Sequence, residues 1–152
     1  MKKLDISNKL FHILMPILLG TVVGIIFRDY NSYIEKLERT IKVPAIVFPI
    51  VWSILYVMIG FWYDFYEKQA VTRNKVLYYV LLFVNLAFTP VLFYLHQIVL
   101  ALIIVVVLLI GNSYLFVSSL KMGKFSYLLI PYILWSMVAL TLMFDLVINN
   151  VL

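Results

Sequence analysis

Five long apolar stretches run through the chain, and short polar segments separate them. The stretches cover residues 10–27, 44–63, 76–95, 98–120 and 127–148. A helix needs about 20 consecutive apolar residues to cross the hydrocarbon core of a bilayer. None of the stretches contains Lys, Arg or Glu, and Asp145 near the end of the last is the one Asp. The pattern therefore predicts an all-α membrane protein, a bundle of five transmembrane helices.

The segments between the stretches are too short for a soluble domain, so we expect one transmembrane domain over residues 1–152. The first stretch follows Lys2, Lys3 and Lys9, as in a signal peptide. It is longer than a typical signal-peptide core, however, and no Ala-x-Ala-like cleavage site follows it. We therefore predict that it is a retained helix.

Composition supports a membrane protein and excludes a soluble one. The 152 residues are 65% hydrophobic and 12% charged, with a mean hydropathy of +1.07. A soluble domain is about half apolar and about a quarter charged. The chain has no cysteine, which excludes disulfides and thiolate metal sites. The net charge of +5 comes from loop residues and suits anionic lipid headgroups, so we expect a lipid bilayer as partner and no nucleic acid.

The distribution of Lys and Arg between the loops predicts the orientation. Because five spans put the termini on opposite sides, the cations separate into two groups. The N-terminal side carries Lys2, Lys3, Lys9, Lys68, Arg73, Lys75, Lys121 and Lys124, and the other side carries Arg28, Lys36, Arg39 and Lys42. By the positive-inside rule, the N-terminus is cytoplasmic in the cell membrane, and the first loop and C-terminus are external. We expect the first loop, residues 28–43, to form a short amphipathic piece over the bundle.

Small residues and prolines inside the spans raise two structural questions. Gly20 and Gly24 form a G-x-x-x-G step, which allows close helix approach either within the chain or in a homodimer. Prolines occur in four of the five spans, at positions 16, 44, 49, 90 and 131. Intramembrane prolines free backbone carbonyls, so the helices either bend or splay to leave a cavity.

The three tryptophans differ in depth. Trp62 ends the second span beside Tyr63 and is predicted to be an interfacial anchor. Trp52 and Trp135 lie well inside their spans. Trp52 shares a helical face with Pro49 and Tyr56, and Trp135 shares one with Pro131 and Ala139. Each face is either core or the wall of a site for a flat apolar ligand.

The remaining polar residues give no catalytic motif. Asn85 and Thr89 share a helical face and serve either helix-to-helix hydrogen bonding or a pocket lining. His12 and His96 have no cysteine or closely spaced carboxylate with which to bind a metal. We expect His96 to be solvated, Asp145 to be interfacial, and no metal or cofactor to be bound. The absence of Lys, Arg and Glu from the spans argues against a proton pump.

Three segments carry a family resemblance. Residues 43–60, with Pro44, Pro49, Trp52, Tyr56 and Gly60, resemble the second helix of the TspO/MBR family, which reads P-P-x-x-V-F-x-P-V-W-x-x-L-Y-x-x-M-G. These are the tryptophan-rich sensory proteins related to the mitochondrial translocator protein. Residues 131–139 are similar to the family's P-Y-x-x-W-x-x-F-A on the fifth helix, and residues 85–93 to N-x-x-W-S-x-x-F-F on the third. The chain departs from the family at Phe88, where the family has Trp, and in the first loop, which lacks the family's Trp.

The resemblance implies a five-helix bundle, often dimeric, with a pocket under the first loop that accepts porphyrins. The resemblance implies Trp52, Asn85, Trp135 and Ala139 as ligand-binding residues here. Pro49, on the helical face of Trp52, and Phe88, on that of Asn85, complete the set of candidates. The expected function is to bind porphyrin or another flat hydrophobic molecule as a sensor or regulator of tetrapyrrole handling. Two alternatives stay open. One is light-dependent porphyrin degradation, in which the indoles of Trp52 and Trp135 donate electrons to the excited macrocycle, and the other is small-molecule transport.

Overall fold

The computed structural model describes residues 2–26, 30–44 and 46–152, and all regular structure in these ranges is helical. We number the α-helices in chain order. They are α1 (Lys2–Ile26), α2 (Tyr30–Ile34), α3 (Val47–Glu67), α4 (Thr72–Phe93), α5 (Ile98–Ser119) and α6 (Ile130–Asn150). Two 3₁₀ turns, Leu120–Met122 and Lys124–Leu129, connect α5 to α6.

The predicted membrane bundle is confirmed. In the described ranges, four helices are long and apolar enough to cross a membrane, namely Val47–Glu67, Thr72–Phe93, Ile98–Met122 and Lys124–Asn150. Leu10–Ile26 is a shorter apolar helix and supplies the fifth member. Phe27, the predicted end of the first stretch, lies outside the described residues.

Helix ends differ from the apolar stretches by a few residues. α3 begins at Val47, after a turn in which the Val47 N–H donates to the Pro44 carbonyl (3.0 Å). The helix then continues past the predicted end at Tyr63 to Glu67. Backbone hydrogen bonding does not depend on side-chain polarity, so a helix continues beyond the point where its side chains become polar.

The helices close into a ring. α1 packs on α3 and α4, α4 packs on α5, and α5 packs on α6. The Lys124–Leu129 turn and α6 complete the ring against α3. The order around the bundle is therefore α1, α3, α6, α5 and α4, which places α1 across the gap between α3 and α4.

Glycines set the distance between α1 and α3. A Cβ on Gly60 would lie 2.6 Å from Ile13 Cα and 2.7 Å from the His12 carbonyl oxygen. Only glycine permits this backbone contact. Gly20 is equally tight against the ring of Tyr56, whereas a Cβ on Gly24 would meet nothing within 4 Å. Gly20 thus makes a helix contact within the chain, with Tyr56 of α3. A homodimer stays a prediction.

Trp62 is not an exposed interfacial anchor, and that prediction was wrong. Its side chain is 1% exposed and stacks on Tyr66, with ring centroids 4.4 Å apart. Its indole N–H donates to the hydroxyl of Ser119 in α5 (3.4 Å). The aromatic-belt rule considers depth along one helix, but the turn that connects α5 to α6 folds back on α3 and encloses this face.

The first loop lies on the bundle and is attached to it at several places. The side-chain amide of Asn150 in α6 pairs with the backbone N–H and carbonyl of Glu38 (2.9 and 2.7 Å). Tyr33 in α2 stacks on His96 in the turn between α4 and α5, with ring centroids 4.0 Å apart. His96 is exposed, as expected, and its backbone is left-handed with φ 56°. The part of the predicted loop at residues 27–29 lies outside the described residues.

Candidate functional site

A cavity of about 400 Å³ lies between α1, α3 and α4, and we call it the α1/α3/α4 cavity. Its walls come from residues 17–25 of α1, 48–56 of α3 and 85–89 of α4. Small-molecule sites occupy about 300–1,000 Å³ and are mostly apolar with a few polar groups. The cavity fits this description, and it lies in the half of the bundle nearest the first loop.

The α3 wall of the cavity is built by helical periodicity. Pro49, Trp52, Ser53 and Tyr56 all line it, because residues three, four and seven apart share one face. The rings of Trp52 and Tyr56 are 5.6 Å apart and tilted by 30°. The Ser53 hydroxyl donates to the Pro49 carbonyl (2.8 Å), so its donor is already used within the helix. The wall therefore offers flat aromatic surface, with the Trp52 indole and the Tyr56 hydroxyl as its remaining polar groups.

Asn85 supplies the distinctive polar group of the cavity. It is 5% exposed, and its Nδ2 donates to the Tyr56 hydroxyl at 3.0 Å. Its Oδ1 is buried and has no hydrogen-bond partner among the described residues. A buried acceptor left unpaired costs about 1–3 kcal/mol. Asn85 thus brings a buried, unpaired acceptor to the boundary between the cavity and the smaller spaces beside it.

The six residues singled out in the sequence lie around two neighbouring spaces. Pro49, Trp52, Asn85 and Phe88 line the α1/α3/α4 cavity. Trp135 and Ala139 line a crevice of about 10 Å³ together with Trp52, Asn85 and Phe88, and we call it the central crevice. The two spaces share the three residues that separate them. Trp52 therefore lies between the α1/α3/α4 cavity and Trp135.

Contacts hold the two deep tryptophans in place. The Trp52 ring meets Tyr132 of α6 edge-on with centroids 5.9 Å apart, and Trp135 meets Phe48 edge-on at the same distance. Both tryptophans are partly buried. The two indoles are thus parts of one aromatic layer between α3 and α6, and only Trp52 reaches the large cavity.

The wall contributed by α1 was not among the predicted site residues. Gly20, Thr21 and Gly24 line the cavity there. The sequence signal is the G-x-x-x-G step, which predicts a helix contact. Gly20 does make that contact, but Gly24 instead leaves space in the cavity.

No metal centre accompanies the cavity. Across the described ranges, no three His, Asp or Glu residues are placed to hold a metal ion. The cavity walls also lack any Asp, Glu, His, Lys or Arg among the residues that line them. Its polar groups are therefore uncharged, and they are the Asn85 amide, the Tyr56 phenol, the Trp52 indole and the hydroxyls of Thr21, Ser53 and Thr89.

The TspO/MBR family model matches residues 12–148, which is nearly the whole chain. The chain belongs to the TspO/MBR family. The match covers α3 through α5 completely and most of α1 and α6. No curated protein matches the chain. As a TspO/MBR member with this set of apolar helices, the chain is a multi-pass membrane protein of a sensor- or transporter-like type.

Proposed function

We propose that this TspO/MBR protein binds a porphyrin or a similar flat hydrophobic molecule in the α1/α3/α4 cavity. Its role would be that of a sensor or regulator of tetrapyrrole handling in the cell membrane. The observation that carries the proposal is the buried, unpaired Oδ1 of Asn85 beside the indole of Trp52 in a mostly apolar cavity that no charged side chain lines. A flat ligand with one well-placed donor satisfies both features.

Aromatic surface supplies the affinity in this proposal. Trp52, Tyr56 and Phe88 present rings from α3 and α4 to the cavity. An aromatic pair contributes about 0.5–1.5 kcal/mol beyond the burial of its area. A ligand N–H or O–H directed at Asn85 Oδ1 would remove the cost of the unpaired acceptor. Orientation then comes from Asn85 and most of the binding free energy from the rings.

The rim of the cavity suggests how a ligand enters. Thr21, Gly24 and Ile25 of α1 and Pro49 and Ser53 of α3 line the cavity and remain exposed. The gap between these two helices therefore faces outward, where lipid would surround the bundle. A macrocycle larger than the cavity would extend through this gap, and a hydrophobic ligand would arrive from the bilayer.

A second candidate, light-dependent porphyrin breakdown, is favoured by the position of Trp52. Indole is electron-rich and can donate an electron to a photoexcited macrocycle stacked on it. Trp52 is the indole that lines the large cavity, and the phenol rings of Tyr56 and Tyr132 adjoin it at 5.6 and 5.9 Å. No acid–base residue is needed for that electron transfer.

The test is a titration of the detergent-solubilised protein with protoporphyrin, followed by quenching of tryptophan fluorescence. Asn85→Leu removes the unpaired acceptor and is expected to weaken binding about tenfold, as for one hydrogen bond of about 1.4 kcal/mol. Asn112→Leu is the matched control, because Asn112 is a buried amide on α5 that does not line the cavity.

Two results would contradict the proposal. Equal weakening by Asn85→Leu and Asn112→Leu would mean that the amides act through folding. Failure of the parent protein to bind protoporphyrin would exclude this ligand class. Irradiation of the complex in air, with the Soret band as readout, separates binding from breakdown.

A further inference from the structure

α1 and α3 contact each other along their length, with the α1/α3/α4 cavity near one end of this contact. A cluster of polar side chains lies near the other end. His12 of α1 faces Asp64 and Glu67 of α3, and we call these three residues the α1/α3 charge cluster. His12 and Asp64 are each 7% exposed. The cluster adjoins Gly60, where the backbones of the two helices touch. Charged side chains so well buried in a membrane bundle are costly and are retained mainly where they have a function.

Both ring nitrogens of His12 point at carboxylates. Nε2 lies 3.1 Å from Glu67 Oε2, and Nδ1 lies 3.6 Å from Asp64 Oδ1. Nδ1 is buried and has no hydrogen-bond partner in the described part of the chain. A neutral imidazole has one donor and one acceptor, while an ionised carboxylate only accepts. The arrangement is therefore complete only when both nitrogens carry protons.

Besides the two carboxylates, one lysine and one aromatic ring of α3 lie near His12. On α3, Lys68 Nζ lies 3.9 Å from the second Asp64 oxygen, and the Tyr63 ring meets the imidazole edge-on at 5.0 Å. On α4, Tyr78 and Tyr79 pack against Tyr63 rather than against the imidazole. Among the described side chains, Asp64 and Glu67 are thus the carboxylates that His12 faces.

We propose that the α1/α3 charge cluster is a proton-binding site that links pH to the packing of α1 on α3, and through it to the α1/α3/α4 cavity. With His12 protonated, each nitrogen donates toward a carboxylate and α1 is held against α3. With His12 neutral, one buried carboxylate faces a lone pair and the contact weakens. The link to the cavity rests on the proposed function, because residues 17–25 of the same α1 form one cavity wall.

The direction of the pH effect follows from this geometry. Histidine changes charge within the physiological range of about pH 5 to 8. The ring that carries both protons has a donor for each carboxylate, so we expect acid to tighten the contact of α1 on α3. At the alkaline end one carboxylate faces a lone pair of the neutral ring, so we expect the contact to loosen.

The first experiment measures thermal unfolding of the full chain in detergent micelles from pH 5.5 to 8, without ligand. We expect the unfolding midpoint of the parent protein to fall across this range. His12→Gln should flatten the profile, and His96→Gln should leave it unchanged. His96 is the matched control, because the chain has two histidines and His96 stacks on Tyr33 in an exposed turn.

Glu67→Gln is a second variant that tests the same proposal if His12→Gln does not fold. The Glu67 side chain is 38% exposed, so its substitution is the milder change. It should reduce the slope of the profile, because only one of the two carboxylates that face His12 then stays charged. A parent profile that is flat, or one that is equally steep in Glu67→Gln and in His12→Gln, would overturn the proton site.

The second experiment compares protoporphyrin affinity at pH 6 and pH 8 in the parent, His12→Gln and His96→Gln proteins. We expect a pH-dependent ratio in the parent and His96→Gln proteins and a smaller ratio in His12→Gln. Equal ratios in all three would overturn the link to the cavity, since titration of the ligand itself affects all three alike. If protoporphyrin does not bind at either pH, the proposed function fails, and the unfolding profiles alone decide on the proton site.

Discussion

The carboxylate of Asp145 in α6 accepts a hydrogen bond from the backbone N–H of Thr40, 2.9 Å away and 105 positions earlier in the chain. The same oxygen also accepts from the N–H of Ile41 at 3.0 Å, and the other oxygen accepts from Asn149. A charged acceptor for two adjacent backbone donors makes a strong anchor. Asp145 thus fixes the first loop on the end of α6.

The anchored loop reaches the candidate site through Phe48. A space of about 60 Å³ lies between the loop, α3 and α6, and Ile41, Phe48 and Asp145 are among the residues that line it. Phe48 also lines the α1/α3/α4 cavity. A movement of the loop would therefore change the packing around Phe48, which forms part of the cavity wall.

Replacing Asp145 should release the loop. In Asp145→Ala, the Thr40 and Ile41 amides lose their acceptor, and we expect their hydrogen-exchange protection to fall to that of an open loop. Asp145→Asn keeps one carbonyl oxygen and should retain part of the protection. Amide exchange measured by mass spectrometry on peptides spanning residues 35–44 checks this. Unchanged exchange in Asp145→Ala would contradict the anchor.

The three tryptophans should respond differently to replacement by phenylalanine. Trp52→Phe should keep much of the porphyrin affinity, because a flat ring remains, but it should slow any light-dependent loss of porphyrin. Trp135→Phe should have a smaller effect on affinity, since Trp135 lines the central crevice and not the large cavity. Affinity and Soret bleaching of the variants, measured side by side, check both expectations.

Trp62→Phe serves as the structural comparison. It replaces a buried, stacked indole with a smaller ring and removes the hydrogen bond to Ser119, so we expect about 1–3 kcal/mol of destabilisation. Porphyrin bleaching should not change. If Trp62→Phe slows bleaching as much as Trp52→Phe does, the tryptophans act through folding and the assignment of Trp52 falls.

Two glycines in contact-forming helices should differ in their tolerance of a methyl group. Gly60→Ala would force the α1 backbone away from α3 and is expected to destabilise the bundle by about 1–3 kcal/mol. Gly24→Ala meets no neighbour and should leave the thermal midpoint unchanged or raise it. Thermal unfolding midpoints of the two variants and the parent, measured in the same detergent, check this prediction. Equal midpoints for the two variants would show that the close α1–α3 contact does not matter for stability.

The orientation of the chain is testable because it has no native cysteine. Glu35 in the first loop and Lys124 between α5 and α6 are both exposed. We expect Glu35→Cys to react with a membrane-impermeant maleimide from outside intact cells, and Lys124→Cys to react only after permeabilisation. The reverse pattern would place the N-terminus outside.

Much of the fold and part of the site could be predicted from the amino-acid sequence. Hydropathy and helical periodicity are local properties, and they were enough to predict five helices and to place Pro49, Trp52 and Tyr56 on one face. Asn85 and Phe88 were identified as candidates through the family resemblance, and they lie opposite that face in the cavity.

The pairing of helix faces was decided only by the tertiary structure. Hydropathy along α3 shows that Trp62 is near a helix end, but not that the turn after α5 covers it. Likewise, His12 and Asp64 lie on different helices, and no local pattern links them. They meet because Gly60 allows α1 to touch α3 at that level. When every helix is apolar on most sides, the periodicity of one helix does not show which other helices it contacts. The fit between small and large side chains selects the neighbouring helix.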